Sequence, residues 1–578
     1  MTVLNDMTFK IAGAAGQGVE SSGVGFAQAL AKGGLHLFGL PDYMSRIRGG
    51  LNSFRVRAHE RPLYTHEDPV HILLPLSEEA LAAYQDEVVP GGGIIFDEGL
   101  KVDGGRIAEQ GRIAMPVPLI GMAKEHGDRV MANTAALGAA AGVVKYSYER
   151  LADVIRANFK RKGADVVAAN LRVARAAYQY AQAKYAPGFG WKLRPVADAP
   201  KRMVMSGNQA FCMGALAGGC RFIAAYPMTP STSIIEWMTR HAERFGIVTK
   251  HAEDEIGAIC MAIGANLVGA RGMVATSGGG FSLMVEALGL AGMCEVPLVV
   301  VEGQRGGPST GLPTRTEQGD LLFVINASQG EFPRLVLAPG TIEEYFECGW
   351  RAFNLAEKYQ TPVLVLADEL LASSIRTIEV DAIDFDGVAI DRGRLLSKEE
   401  LDGLTEPYRR HLFTDDGISP RAIPGHPNAV YASASDEHDE FGHITEEMHN
   451  RRRMMQKRMA KLETARQDIR APSRYGPAEA PTVLVGWGST FGVLREVVDR
   501  LDGQARLVHF CDLWPFPAGA AAEALKGGRL VTVENNYTGQ FRRLLQGETC
   551  VKVDQAILRY DGRPFSPEDV LAALREVS

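Results

Sequence analysis

Five times along this chain a short apolar run breaks into glycine, proline, serine or threonine and then into a helical pattern. The stretches are "TFKIAGAAGQGV", "RFIAAYPMTPST", "GMVATSGGGF", "PLVVVEGQRGG" and "PTVLVGWGST". Each run has the length of one β-strand, and a strand that feeds directly into a helix is half of a βαβ unit. Repetition of that unit points to an α/β protein of doubly wound sheets. In such sheets ligands sit beyond the carboxyl ends of the strands, so the loops in these stretches are where a site is to be sought.

With 578 residues the chain has room for roughly three to four domains of ~150 residues. The first, residues 1–190, alternates strands and helices and closes with two long Ala-rich helices. "APGFGWKLRPVADAPKRM" interrupts the periodicity as a linker. Residues 200–380 form a second, glycine-rich α/β unit. Residues 385–475 are polar and end in a charged helix, which reads as a connecting segment packed over the surface. Residues 476–578 are a smaller third α/β domain.

The net charge of -7 and the lack of a long basic run leave no footprint for nucleic acid. The cluster Arg451, Arg452, Arg453 reads as a solvated helix face. No apolar stretch approaches a membrane span or a signal core, and the expected location is cytoplasmic. The seven cysteines contain no C-x-x-C pair for zinc or an iron–sulfur cluster, and most, Cys260 included, lie in apolar text that suits buried reduced thiols.

The first glycine loop, Gly16-Gln17-Gly18 after Gly13, follows a strand and opens a helix, the setting in which backbone N–H groups cradle phosphate. Its G-x-x-G-x-G spacing is not the dinucleotide pattern, and no ribose-binding acid follows, which weighs against a flavin or nicotinamide site. A tight structural turn explains it equally well. Arg46 and Arg48, before Gly49-Gly50, suit a phosphate, a carboxylate or a salt-bridged interface. In "AAYPMTPSTSIIEW", Ser231 and Thr232 are placed to cap the next helix, whereas Thr229 is placed at a strand's carboxyl end with a hydroxyl free for an anion. Of Glu253, Asp254 and Glu255, two serve as ordinary partners of a helix dipole. Glu255 begins a face of glycine and alanine that leaves room for a heterocycle with which it can exchange protons. Gly278 and Gly279 in the loop "SGGGF", Arg305 in "QRGGPSTG" and Arg315 in "PTRTEQGD" complete the set at the same sheet edge.

Taken together, "GAAGQGVESSG", "YMSRIRGG", "YPMTPST", "EDEIGA", "TSGGGFSLM", "QRGGPSTGLPTRTEQ" and "VENNYTGQ" resemble, in order, the motifs of the 2-oxoacid:ferredoxin oxidoreductases. These thiamine-diphosphate enzymes oxidatively decarboxylate 2-oxo acids to acyl-CoA. The resemblance spans nearly the whole chain and implies a gamma domain, a thiamine-pyrimidine-binding-type domain and a transketolase C-terminal-like domain. It implies that Glu255 activates thiamine diphosphate beside Gly278 and Gly279, and that Thr229, Arg305 and Arg315 bind the substrate. CoA, the co-substrate, is assigned to Gly16, Gln17, Gly18, Arg46 and Arg48. Met228 stands where the family usually has isoleucine, a swap that conserves volume. There is no Gly-Asp-Gly triplet here for Mg²⁺ and diphosphate and no cysteine set for a cluster. A beta subunit is therefore expected to supply Mg²⁺ and the [4Fe–4S] cluster, in an α2β2 assembly that reduces ferredoxin. The "QRGGPSTGLPT" form and the fused gamma–alpha chain look most like the 2-oxoglutarate enzymes, which make succinyl-CoA. Pyruvate or branched 2-oxo acids, a non-catalytic acyl-CoA- or nucleotide-binding scaffold, and either direction of the reaction (oxidation or reductive carboxylation) stay open at this point.

Overall fold

The computed structural model describes residues 2–45 and 50–576. The chain is built on sheets of eight, seven and five strands, with a two-stranded pair, Val3–Leu4 and Trp191–Lys192, at the side.

In the first unit the strand order is Ile113–Val117, Val88–Asp97, Val70–Pro75, Asp6–Ala14, Leu51–His59, His36–Asp42, Ile375–Glu379 and Arg202–Ser206. The first four run parallel, but Leu51–His59 is antiparallel to both neighbours, so this sheet is mixed rather than uniformly doubly wound. The physical reason is length. Only residues 43–50 join His36–Asp42 to Leu51–His59, too few for the crossover that a parallel pair requires. Helices Val19–Lys32, Ala132–Val143, Tyr148–Phe159 and Ala164–Lys184 bury Phe9, Ile11, Phe54 and Val56 on one face of the sheet. The opposite face carries Lys10, Arg55 and Arg57 toward the rest of the molecule. Arg57 donates to Glu496 of the third unit at 2.6 Å.

The last two strands of that sheet come from the two ends of the second unit. Ile375–Glu379 pairs antiparallel with His36–Asp42, and Arg202–Ser206 pairs with Ile375–Glu379. The exchange of strands also runs the other way. Asp512–Trp514, from the third unit, forms the antiparallel edge of the central sheet.

The central sheet runs Val248–His251, Phe222–Ala225, Gly272–Ser277, Leu298–Gln304, Pro362–Asp368, Leu335–Leu337 and then that edge strand. Its first six strands are parallel. Every residue of Gly272–Ser277, Leu298–Gln304 and Pro362–Asp368 is buried, because helices cover both faces. Glu255–Leu267 and Gly278–Met293 lie on one face; Gly207–Ala217, Thr232–Phe245 and Ile342–Tyr359 lie on the other. The five-stranded third sheet is parallel apart from Ser473–Tyr475.

The connecting segment is held more deeply than a surface strap. In its helix Met448–Ala465, Arg451, Arg452 and Arg453 are exposed as expected, but Lys457, Arg458 and Lys461 are buried. Lys457 meets the carboxylate of Glu295 at 2.5 Å, Lys461 meets it from the next turn, and His411 Nδ1 lies 2.9 Å away. Lys457 and Lys461 share a helix face at i, i+4 spacing, so both ammonium groups reach the one carboxylate. A second buried acid, Glu357, is ringed by Arg271, Arg392 and Arg421 at 2.7, 2.6 and 2.6 Å. Among the described residues no helix is long and apolar enough to cross a membrane.

Candidate active site at the carboxyl edge of the central sheet

The strand Phe222–Ala225 ends at Tyr226, and helix Thr232–Phe245 begins after Ser231. Thr229 lies half-buried in the turn between them. The serine does not cap the helix as the sequence suggested. Its hydroxyl makes no cap hydrogen bond and donates instead to the Thr276 carbonyl oxygen on the neighbouring strand. The backbone N–H groups of Ser231 and Thr232 already reach Met228 O, at 2.8 and 3.1 Å, in a closed turn that needs no side-chain acceptor. Ser231 therefore fastens the Thr229 turn to the sheet edge.

"SGGGF" is not a loop either. Strand Gly272–Ser277 passes directly into helix Gly278–Met293, and the glycines form its first turn. Glycine stands in that turn because two carboxylates crowd the start of the helix. A Cβ on Gly278 would lie 2.5 Å from Asp320 Oδ2, and one on Gly280 would lie 2.2 Å from Thr276 Oγ1 and 2.5 Å from Glu255 Oε1. Only glycine lets the chain pass so close. Gly279, between them, is exposed and has nothing nearer than Ser309 O at 3.9 Å. The first turn of this helix receives no side-chain cap from Ser277.

Asp254 caps helix Glu255–Leu267 by accepting from Gly257 N at 2.7 Å, and Glu253 is exposed. Glu255 is 4% exposed, and its Oε1 meets no hydrogen-bond donor among the described residues. A buried carboxylate oxygen without a donor is rare enough to need a reason, and a site waiting for a donor supplies one. Beyond it the helix turns an apolar face outward, with Ile256, Met261, Leu267 and Val268 exposed. Cys260 lies on that face and is exposed, against the expectation of burial, because no element among the described residues covers it.

Arg305 lies one residue past strand Leu298–Gln304. It donates through Nη1 to Thr229 O at 2.9 Å and makes no ion pair among the described residues. Arg315 is turned elsewhere. It pairs with Asp42 of the first unit at 2.5 Å and lines a cavity of about 320 Å³ between the three units, with Glu369 and Arg559. Thr229, Glu255, Gly278, Gly279 and Arg305 thus share one edge, and Arg315 stands apart from them. Two acids at that edge carried no sequence signal beyond their position: Glu302, fully buried in the strand before Arg305, and Asp320, against Gly278. An acid inside the apolar run "PLVVVEG" was the visible clue.

In the first unit, Gly16 and Gly18 adopt φ of 87° and 71°, left-handed values that glycine takes without strain. With Gln17 they line a cavity of about 770 Å³, whose rim includes Arg129, Asn133 and Lys162. Asn133 donates to the Gln17 carbonyl oxygen and holds the loop open. Arg46 and Arg48 fall outside the described residues.

Residues 213–457 match the family described as "Pyruvate flavodoxin/ferredoxin oxidoreductase, thiamine diP-bdg", and residues 8–180 match "Pyruvate ferredoxin/flavodoxin oxidoreductase". The fold and its edge therefore define a thiamine-diphosphate-binding oxidoreductase. The chain is 33% identical to the alpha subunit of a 2-oxoacid:ferredoxin oxidoreductase from a Sulfolobus species, over 99% of this chain and 97% of that one. It is 31% identical to the 2-oxoglutarate oxidoreductase subunit KorA of Mycobacterium tuberculosis, over 98% and 91%. A solved 2-oxoglutarate:ferredoxin oxidoreductase from Magnetococcus marinus, with 2-oxoglutarate, coenzyme A and succinyl-CoA bound, matches at a TM-score of 0.92 and 32% identity, covering 99% of each chain. This chain belongs to the 2-oxoacid:ferredoxin oxidoreductase alpha-subunit family.

Proposed function

We propose that this chain acts on 2-oxoglutarate, converting it with CoA to succinyl-CoA and CO₂ while ferredoxin is reduced, in an α2β2 assembly with a beta subunit. The observation that carries the reading is the buried Glu255 oxygen without a donor among the described residues, set against a glycine turn at the same edge as Arg305, which makes no ion pair among them. The residues fit the pyrimidine end of thiamine diphosphate. Glu255 offers its free oxygen to a ring nitrogen, and Gly279 leaves space for the ring. When bound, the cofactor supplies a carbanion that adds to the 2-oxo group and accepts the electrons of decarboxylation. Glu255 holds or releases the proton at the ring nitrogen. Arg305 grips the substrate carboxylate, and Thr229, fixed through its own carbonyl oxygen to Arg305, presents its hydroxyl beside it. Helix Gly278–Met293 adds its positive end.

We place the diphosphate, Mg²⁺ and the [4Fe–4S] cluster on the beta subunit, seated on the exposed apolar face of helix Glu255–Leu267. Among the described residues the one trio of ligand-type side chains drawn together, Glu295, His411 and His438, is already filled by Lys457 and Lys461 and offers a cation nothing. CoA is assigned to the 770 Å³ cavity of the first unit, where the Gly16–Gly18 loop and the rim cations Arg129 and Lys162 suit its phosphates. Substrate choice is tested by co-expressing the chain with its partner and following viologen reduction with CoA and either 2-oxoglutarate or pyruvate. The 2-oxoglutarate rate should dominate; dominance of pyruvate would defeat the substrate assignment.

A further inference from the structure

The stretch "VENNYTGQ" is a strand-to-helix passage of the third unit. Strand Arg529–Glu534 ends at the glutamate, and helix Gln540–Thr549 begins after Gly539. Between them the Asn536 side chain is fixed at both ends. Its Oδ1 accepts from Gly539 N at 2.8 Å, and its Nδ2 donates to the buried carboxylate of Glu534 at 3.0 Å. The same passage reaches the central unit at residues 318–322, where the loop that follows strand Leu298–Gln304 comes to its end.

Gln318, fully buried, is gripped there by backbone and side chain alike. Its N–H donates to Asn535 O at 2.6 Å, and its Oε1 accepts from Asn535 N at 3.0 Å. Its Nε2 donates to Trp487 O at 2.9 Å, and its carbonyl oxygen accepts from Asn536 Nδ2 at 3.1 Å. Gln540 donates to Gly319 O and accepts from Leu322 N at 2.9 Å. A buried polar network paired this fully holds one arrangement.

Arg305 stands at the other end of the same loop, and both of its neighbours are tied back into the loop. Asp320 N donates to the buried Gln304 Oε1 at 3.0 Å. Gly306 N donates to Arg315 O at 3.2 Å, and Leu312 N donates to Gly306 O at 2.7 Å. The loop is thus closed at its base, and that base is seated on the third unit.

We propose that the third unit positions Arg305 for the substrate carboxylate, with Gln318 and Gln540 as positioning residues that act through the loop. The proposal rests on the reading of Arg305 as the carboxylate anchor. A guanidinium fork grips a carboxylate with two parallel bonds only when its direction is set. Loosening residues 318–320 releases Gln304, and with it the direction in which Arg305 leaves the sheet.

Two measurements test this. Gln540→Met keeps the length of the side chain and removes both of its hydrogen bonds to the loop. Gln318→Met removes the side-chain bonds to Trp487 and Asn535. In the full chain alone, backbone hydrogen exchange across residues 305–320 should speed up about tenfold in either variant. In the complex with the partner subunit, KM for the 2-oxo acid should rise about tenfold, with kcat and the KM for CoA nearly unchanged. Glu496→Gln is the control. It weakens a different contact of the third unit, with Arg57, and should lower thermal stability while leaving KM unmoved. Should Gln318→Met not fold, Gln540→Met serves for both readouts. Unchanged exchange across the loop overturns the grip of the third unit. An equal rise of KM in Glu496→Gln overturns the specific role of the two glutamines. If Arg305→Lys raises KM but neither glutamine variant does, the positioning fails while the reading of Arg305 stands. If Arg305→Lys leaves KM unmoved, that reading falls and the positioning with it.

Discussion

Arg305 donates through Nη1 to the carbonyl oxygen of Thr229 at 2.9 Å, so the loop after one central strand holds the turn after another. That bond uses one of the five guanidinium donors and leaves the rest without a carboxylate partner among the described residues. Arg305→Lys keeps the charge and loses the planar fork. We expect KM for the 2-oxo acid to rise about 10- to 100-fold, on the scale of a charge-assisted hydrogen bond, with a smaller change in kcat. Steady-state kinetics of the assembled enzyme checks this, and an unchanged KM would remove Arg305 from the substrate site.

Glu255→Gln keeps the size of the side chain and removes its capacity to take a proton. Substrate-dependent viologen reduction should fall by about 10²–10⁴-fold, the usual contribution of a positioned acid–base group. Size-exclusion chromatography should still show the complex with the partner subunit. Near wild-type turnover would sink the assigned role.

The glycine turn predicts an order of tolerance. Gly280→Ala drives a methyl group into Thr276 and Glu255, and Gly278→Ala drives one into Asp320. Each should cost about 1–3 kcal/mol, Gly280 the more. Gly279→Ala meets open space and should leave thermal unfolding nearly unchanged, or raise stability slightly through the unfolded chain. Thermal melts of the three variants give the ranking directly, and an equal loss at Gly279 would contradict the geometry.

Glu295 joins the connecting segment to the central unit. Burial alone would raise its carboxyl pKa, but Lys457, Lys461 and His411 outweigh that and hold it well below the usual range. A folded value below the unfolded one gives stability that is present above an unfolded pKa of about 4.3 and is lost as pH falls through the folded value. Glu295→Gln leaves two buried lysines without their counter-charge and should cost about 3–5 kcal/mol at neutral pH. The penalty should shrink only once pH falls through the folded value of Glu295, where the wild-type carboxyl is neutral too. Chemical denaturation at both pH values measures it, and a pH-independent penalty would refute the charge account.

Much of the fold could be read from local pattern. The strand-to-helix passages at Phe222–Ala225, Gly272–Ser277 and Leu298–Gln304 are short apolar runs with glycine or proline at their ends, and local signals of that kind survive into the structure. The edge cluster followed, since a strand's carboxyl end fixes where Thr229, Glu255 and Arg305 lie. What the pattern hid was contact between distant segments. Ser231 looked like a cap because its spacing is right, and its true acceptor lies on another strand. Cations buried on Glu295 looked like a solvated helix, since a partner 162 residues away leaves no local mark. The departure of Arg315 toward Asp42 had the same cause, a pairing across 273 positions.

The first sheet is completed by Ile375–Glu379 and Arg202–Ser206, strands from opposite ends of the unit beside it. Leu37 N also donates to Thr377 Oγ1 across that seam, at 3.0 Å. Continuity of the backbone is thus not what keeps these two regions together. Cut at Val196–Lys201, the molecule would become two polypeptides, each carrying the matching edge for the other. The join between the two regions is made by strand pairing as well as by the covalent link, and each piece presents one side of that hydrogen-bonded seam.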